Sequence, residues 1–217
     1  MTKLVTIFPG VELAEGVVVD DFVVLGRPPR DRDPGDLTLA IGAGSVIRSH
    51  TVIYAGTRIG ARLQTGHHVL IREKTAIGDD CSIGTGSVVE HSVTIGNRVR
   101  LHSQVFVPEL SVLEDDAWLG PSVAVTNARF PLSSTTKDML EGVVIRAQAK
   151  VGANATLLPG IEIGVNALVG AGSVVTRDVE AGAVVAGNPA RVVGRVEDLR
   201  YPGSHLIPYP SSRSTSR

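Results

Sequence analysis

The chain has 217 residues, enough for one elongated domain with a sizeable core, and a formal net charge of −1, which gives it no general attraction for nucleic acid or an anionic membrane. Its 24 glycines stand against only 4% aromatic residues, a balance that suits tight corners better than a thick aromatic core. There is no run of about 18 apolar residues to span a bilayer, Cys81 is the single cysteine, and the opening MTKLVTIFPG lacks the long apolar stretch of a secretion signal, so a cytoplasmic protein without an internal disulfide is expected.

In chain order, an aliphatic residue falls on every sixth position at Ile7, Leu13, Val19 and Leu25. The segment RPPRDRDPGD, about Arg27 to Asp36, then breaks the phase with turn and charge signals and predicts a loop. From Ile41 to Val125 the beat holds without a gap, and only Thr65 departs from the aliphatic rule. A second break from Thr126 to Val144 predicts a long loop, a length that suits a lid or a reach into a neighbouring subunit. The beat resumes at Ile145, Val151, Leu157, Ile163, Val169 and Val175 and stops after AGNPAR. Val193 to Leu199 is expected to turn back over the last coil as a cap, since a bare solenoid end exposes strand edges. Leu199 to Arg217, rich in Pro, Ser and Arg, is expected to fray. The expected organisation is a body over 1–192 with loop insertions at 26–40 and 126–144, followed by a cap and flexible tail over 193–217.

A period of six fits neither a helix, near 3.6, nor simple strand alternation, at 2. It fits a solenoid in which each step makes one short strand and one corner. Four residues after each aliphatic comes a small or β-branched residue in nearly every step (Ser45, Thr51, Thr57, Thr75, Cys81, Ser87, Ser111, Ala117), as a tight interior corner requires. Cys81 therefore reads as a core filler rather than a reactive thiol. Three steps close one triangular coil, so residues 18 apart stack at about the inter-strand spacing of ~4.8 Å.

The repeats IGAGSV, IGDDCS, IGTGSV, VGANAT and VGAGSV resemble those of the hexapeptide-repeat acyltransferases. That resemblance implies an all-β chain wound as a left-handed parallel β-helix, an exception to right-handed crossover, to which the breaks in the beat add a protruding loop and a short C-terminal cap. It also implies a homotrimer with active sites between subunits. TGHHVLIRE and the stretch from Ile83 to Pro131 are similar to bacterial N-acetyltransferases that act on dTDP- or UDP-linked amino sugars. Gly170 to Arg191, GAGSVVTRDVEAGAVVAGNPAR, resembles the coenzyme A end of such proteins, which makes acetyl-CoA the implied donor.

Amide formation requires the sugar amine to lose a proton as it attacks the thioester, and a neutral imidazole is a natural acceptor. The 18-residue ruler puts Glu73, His91, Glu109 and Asn127 in one outward column, so a carboxylate one rung away can orient the His91 ring. The resemblance agrees, because EHS in VVEHSVTIG falls where related enzymes carry a catalytic histidine. His102, with Gly84 and Gly120 on neighbouring rungs, is the rival base or a ligand contact. His67 and His68 beside Gly66 are candidate sugar contacts, as is Asn127 at the root of the second loop. Arg72 is a candidate substrate contact that also lies 18 residues before Glu90, the spacing of a bracing ion pair. Ala147, Gly152, Gly170, Ala171 and Gly187 offer bare backbone to a pantetheine arm, and Arg177 and Arg191 are candidates for the phosphates of CoA.

Two other readings compete: a non-catalytic β-solenoid scaffold, and a zinc-dependent enzyme of the carbonic anhydrase kind. The latter needs three converging histidines, and no pair here has within-turn spacing, so no metal is expected. The sequence leaves open the sugar, the nucleotide and the role of the 26–40 insertion.

Overall fold

The computed structural model describes residues 4–209. Its backbone winds as a three-sided prism with a parallel sheet on each side. The first face carries nine strands, from Thr6–Ile7 to Val174–Val175; the second carries eight, from Val11–Leu13 to Glu162–Ile163. The third carries ten, from Val18–Val19 through Leu168–Val169 and on into Ala183–Gly187 and Ala190–Arg195. Leu70 pairs with Val88, and Val88 with Phe106, so the 18-residue ruler holds along the regular stretch. Val24 pairs with Val52, 28 residues on, and Ala124 with Thr156, 32 on. Both insertions thus bulge out of a single coil, and the strands above resume in phase.

The six-residue beat is the core itself. Ile41, Ile47, Ile53, Ile59, Ile71, Ile77 and their successors point inward and are buried, stacked rung upon rung. Thr65 is buried too, and its Oγ1 accepts the backbone N–H of Arg48 at 2.8 Å, which gives the one polar member of the beat a satisfied place. The small corner residues are buried as expected, and their hydroxyls tie one coil to the next: Thr57 Oγ1 donates to Arg72 O at 2.9 Å, Thr75 Oγ1 to Glu90 O at 3.0 Å and Ser87 Oγ to His102 O at 2.9 Å. Ser111 Oγ is the exception: it is buried and has no hydrogen-bond partner among the described residues. The residue 15 positions on, whose carbonyl accepts the equivalent hydroxyls in other coils, is here Thr126, at the start of the second loop.

The regular corners turn through a residue with positive φ three places after the aliphatic, for example His50 (61°), His68 (56°), Lys74 (56°), Asp80 (59°) and Asn154 (57°). Asn, Asp and His tolerate this region better than most residues. The corner between the second and third faces is also laced by side chains: Asp79 Oδ1 accepts Ala61 N at 2.8 Å, Asn97 Oδ1 accepts Asp79 N at 2.9 Å, and Asp115 Oδ1 accepts Asn97 N at 2.8 Å. Beside them, Arg62 pairs with Asp80 and Arg98 with Asp116.

The strand-free part of the first insertion runs only from 28 to 38, because strands occupy Val24–Arg27 and Leu39–Ile41. The second runs from 126 to 143 and contains one short 3-10 turn, Thr136–Met139. The cap starts earlier than residue 193: Ala190–Arg195 folds back antiparallel on Ala183–Gly187, and Val196 behind it is buried. The segment after Leu199, expected to fray, reaches back along the third face, where the Tyr209 ring lies 4.5 Å from Lys150 Nζ. The expectation for 210–217 lies outside the described residues.

Candidate active site

The corner between the first and second faces carries the column built on His91. Strands Leu70–Ile71, Val88–Val89 and Phe106–Val107 end on successive rungs and deliver Glu73, His91 and Glu109 to the same corner. His91 Nε2 lies 3.7 Å from Glu109 Oε2, and its Nδ1 lies 3.2 Å from Ser92 Oγ. The His91 side chain is about one-third exposed (36%), so it is reachable from solvent. Asn127, one rung above, donates through Nδ2 to the backbone carbonyl of Glu109 at 3.4 Å and holds that residue's main chain.

Glu73 shares the column but turns away from His91. Its carboxylate is gripped by the neighbouring Arg72, Nη2 to Oε1 at 2.9 Å and Nε to Oε2 at 3.1 Å. Arg72 also reaches Glu90 at 3.1 Å and lies over the Tyr54 ring at 5.4 Å. A nearly buried carboxylate needs such a partner, and an adjacent guanidinium supplies a bidentate one. Of the two carboxylates that the ruler places around His91, only Glu109 pairs with it. Arg72 is occupied with bracing rather than held free for a ligand.

His102 is on the opposite corner, between the third and first faces. Its ring meets Trp118 edge-on with centroids 4.9 Å apart, and burial together with the charge of Arg100 lowers its pKa from the ordinary value. A Cβ on Gly84 would lie 2.4 Å from the backbone of His102, so that glycine serves close coil packing rather than leaving room for a ligand. His91 and His102 therefore do not converge within one chain. His67 and His68 share the corner of His102. His67 Nδ1 is 2.8 Å from Ser49 Oγ, and His68 stacks on His50 at 4.5 Å, which stacks in turn on Phe22 at 4.9 Å. Among the described residues no group of three histidine, cysteine or acidic side chains stands close enough to hold a metal ion.

The seven residues proposed for coenzyme A fall on different sides of the prism. Gly152, Gly170, Ala171 and Gly187 lie on or above the His102 corner. The N–H groups of Gly152 and Gly170 are spent on the rung above, bonding Val169 O at 2.8 Å and Val185 O at 2.7 Å, and that of Gly187 reaches Ser173 Oγ at 3.2 Å. Ala171 is exposed, and no acceptor for its N–H stands among the described residues. Ala147 sits on the acidic corner with its N–H on Glu114 Oε2 at 3.0 Å, so it offers no free donor. Arg177 tops the His91 corner, while Arg191 is exposed on the cap and donates to Ala190 O at 2.9 Å.

Lys150, absent from the expected site, also deserves a place on the third face above Trp118. Its ammonium bonds Gln148 O and Asn166 Oδ1, each at 2.7 Å, without a carboxylate, and burial lowers its pKa. The outward positions of the first face are nearly all apolar: Val24, Val52, Leu70, Val88, Phe106 and Ala124 form one continuous ladder, with Phe106 41% exposed.

Residues 74–109 match the family model described as bacterial transferase hexapeptide (six repeats), and residues 141–177 match that of the hexapeptide repeat of succinyl-transferase. The structure is similar to a hexapeptide-repeat-containing acetyltransferase from Vibrio cholerae, at 24% identity over 56% of this chain and 74% of that one, with a TM-score of 0.51. It is similar to galactoside acetyltransferase in complex with coenzyme A, at 21% identity over 60% and 67% of the two chains and a TM-score of 0.52. A polySia-specific acetyltransferase matches at 15% identity over 93% and 85%, with a TM-score of 0.59. Comparison with curated protein sequences returns no match. These two stretches of the chain thus carry hexapeptide repeats, and the prism has the fold of the left-handed parallel β-helix.

Proposed function

We propose that the protein is an acetyl-CoA-dependent N-acetyltransferase that modifies the amine of a dTDP- or UDP-linked amino sugar, with His91 as general base. The pairing of His91 with Glu109 on an exposed corner is the observation that carries this reading. With Nε2–H turned to Glu109, Nδ1 is the nitrogen that takes the proton, at the position Ser92 Oγ now occupies. The amine nitrogen bonds to the acetyl carbonyl carbon, its proton passes to His91, the C–S bond breaks, and the proton leaves with the CoA thiolate.

The neighbours in fold that are acetyltransferases, and one solved with coenzyme A, support acetyl-CoA as the donor. The apolar ladder of the first face supports self-association, and a homotrimer would bring the His91 corner of one chain toward the His102 corner of the next. In that arrangement Ala171 and Gly187 of one subunit and Arg177 of another border one groove. His67, His68 and Asn127 are the contacts proposed for the sugar. A cytoplasmic setting, where acetyl-CoA is supplied, goes with this reading.

The test is thiol release from acetyl-CoA across a panel of dTDP- and UDP-linked amino sugars. Turnover with one class, lost in a folded His91→Ala protein, supports the reading. No thiol release with any of them, or full turnover by His91→Ala, overturns it.

A further inference from the structure

The first insertion does something the repeat pattern does not announce. Its returning end places Leu37 and Thr38 against Gly56, with Leu37 Cδ1 3.2 Å from where a Gly56 Cβ would stand. Thr38 then walls a cleft of about 540 Å³ on the second face, whose floor is Ala40 and Ala76 and whose sides carry Glu12, Arg58 and Lys74. Arg58 and Lys74 are exposed, and neither has a hydrogen bond or ion pair through its side chain among the described residues. Of the carboxylates around them, Glu73 and Glu90 are held by Arg72, and Glu12, in the same cleft, forms no ion pair with either among the described residues.

The order of these groups along the prism is informative. Ser92, next to His91, stacks directly above Lys74. Arg58 pairs with Ala76 one rung below the strand that Lys74 introduces, and Glu12 pairs with Ala40 a further two rungs below Arg58. At about 4.8 Å per rung, the cleft runs from the His91 corner to two cations within roughly 10 Å, and to a carboxylate roughly 10 Å beyond them. An unpaired guanidinium and ammonium beside one another fit the oxygens of a diphosphate, and a carboxylate accepts hydrogen bonds from sugar hydroxyls.

The geometry points to this cleft as the subsite for the diphosphate of the acceptor, with Arg58 and Lys74 binding the phosphates and Glu12 the ribose hydroxyls of a nucleoside diphosphate-linked sugar whose amine reaches His91. This inference rests on the function proposed above. Coenzyme A carries a diphosphate as well, but its candidate contacts lie more than three coils higher, at Gly152 and beyond, so the acceptor is the occupant assigned here.

Calorimetric titration of the intact protein with UDP, dTDP, inorganic pyrophosphate and, separately, coenzyme A tests the assignment in wild type, Arg58→Gln/Lys74→Gln and Arg58→Lys/Lys74→Arg. Expected is a loss of at least tenfold in affinity for UDP or dTDP in the neutral pair, most of it restored in the charge-conserving pair, with coenzyme A affinity unchanged. Unchanged UDP and dTDP affinity in the neutral pair overturns the assignment, as does an equal loss for coenzyme A, which would give the cations to the donor. Nucleotide binding needs no turnover, so the assignment fails or stands separately from the acetyl-transfer reading, which the thiol-release panel judges.

Discussion

His91 Nε2 faces Glu109 Oε2 across one rung of the prism, at 3.7 Å, while the carboxylate on the rung below, Glu73, is locked to Arg72. The two glutamates are equivalent by spacing and different in their partners. Glu109→Gln should lower kcat by about ten- to a hundredfold, in the range of losing an orienting partner of a general base, with little change in melting temperature. Glu73→Gln should act mainly on stability. Steady-state kinetics and thermal melts on both variants separate the two outcomes.

Arg72 joins Glu73 and Glu90, and both carboxylate side chains are largely shielded, 11% and 22% exposed. Arg72→Met leaves them facing each other without a cation and should destabilise the fold by about 1–3 kcal/mol, less than a fully buried pair because the guanidinium is one-third exposed. Adding Glu73→Gln and Glu90→Gln should recover most of the loss. Denaturant titration of the single and triple variants measures this.

Ser111 places a hydroxyl in the core with no partner among the described residues. Ser111→Ala removes the stranded group and should be neutral or stabilising by up to ~1 kcal/mol, whereas Ser87→Ala, which breaks two bonds to the neighbouring coil, should cost about 1 kcal/mol. Chemical denaturation distinguishes them by sign.

The Cys81 thiol is buried, donates to Gly96 O at 3.1 Å, and is pushed up to about 11 chiefly by burial. A thiolate-seeking reagent at pH 8 should leave the native protein unlabelled for hours and label one thiol per chain on denaturation. Rapid native labelling would show that the corner opens.

His102 has its pKa held below the usual 6.5 by burial and then by Arg100. In the unfolded chain the imidazole binds its proton first as pH falls, so stability is lost on going below about 6.5 toward the folded value. Replacing it by Gln should flatten the decline of melting temperature over pH 7 to 5. The comparison requires only melts of the two proteins across that range.

The prism was readable in the sequence because one physical demand, an inward aliphatic per side, repeats from Ile41 to Val125 with Thr65 as the single departure. The columns were readable for the same reason: Leu70 stacking on Val88 is arithmetic once the coil length is known. What arithmetic does not carry is where a long side chain turns. Arg72 is adjacent to Glu73 in sequence and takes its carboxylate locally, a choice made by burial rather than by the column. Ala147 resembled bare backbone because it is small, yet the Glu114 carboxylate from the coil below already occupies its N–H. Lys150 escaped notice because its partners, Gln148 O and Asn166 Oδ1, are neutral and leave no charge pattern to read. The 28–38 insertion was visible as a break, but its effect on the second face depends on where Leu37 and Thr38 land.

The two bulges also show how such a molecule tolerates change. Because pairing resumes in phase above each of them, surplus chain is discharged sideways and the stack never learns of it. A deletion of eighteen residues would likewise shorten the tower by one storey and leave every vertical alignment standing. A deletion of six would keep the interior equally well filled yet rotate everything downstream by a third of a turn, carrying Arg177 and Gly170 to new sides relative to His91. Interior quality and site integrity are therefore under separate control, and a variant can lose all chemistry while melting at nearly the same temperature.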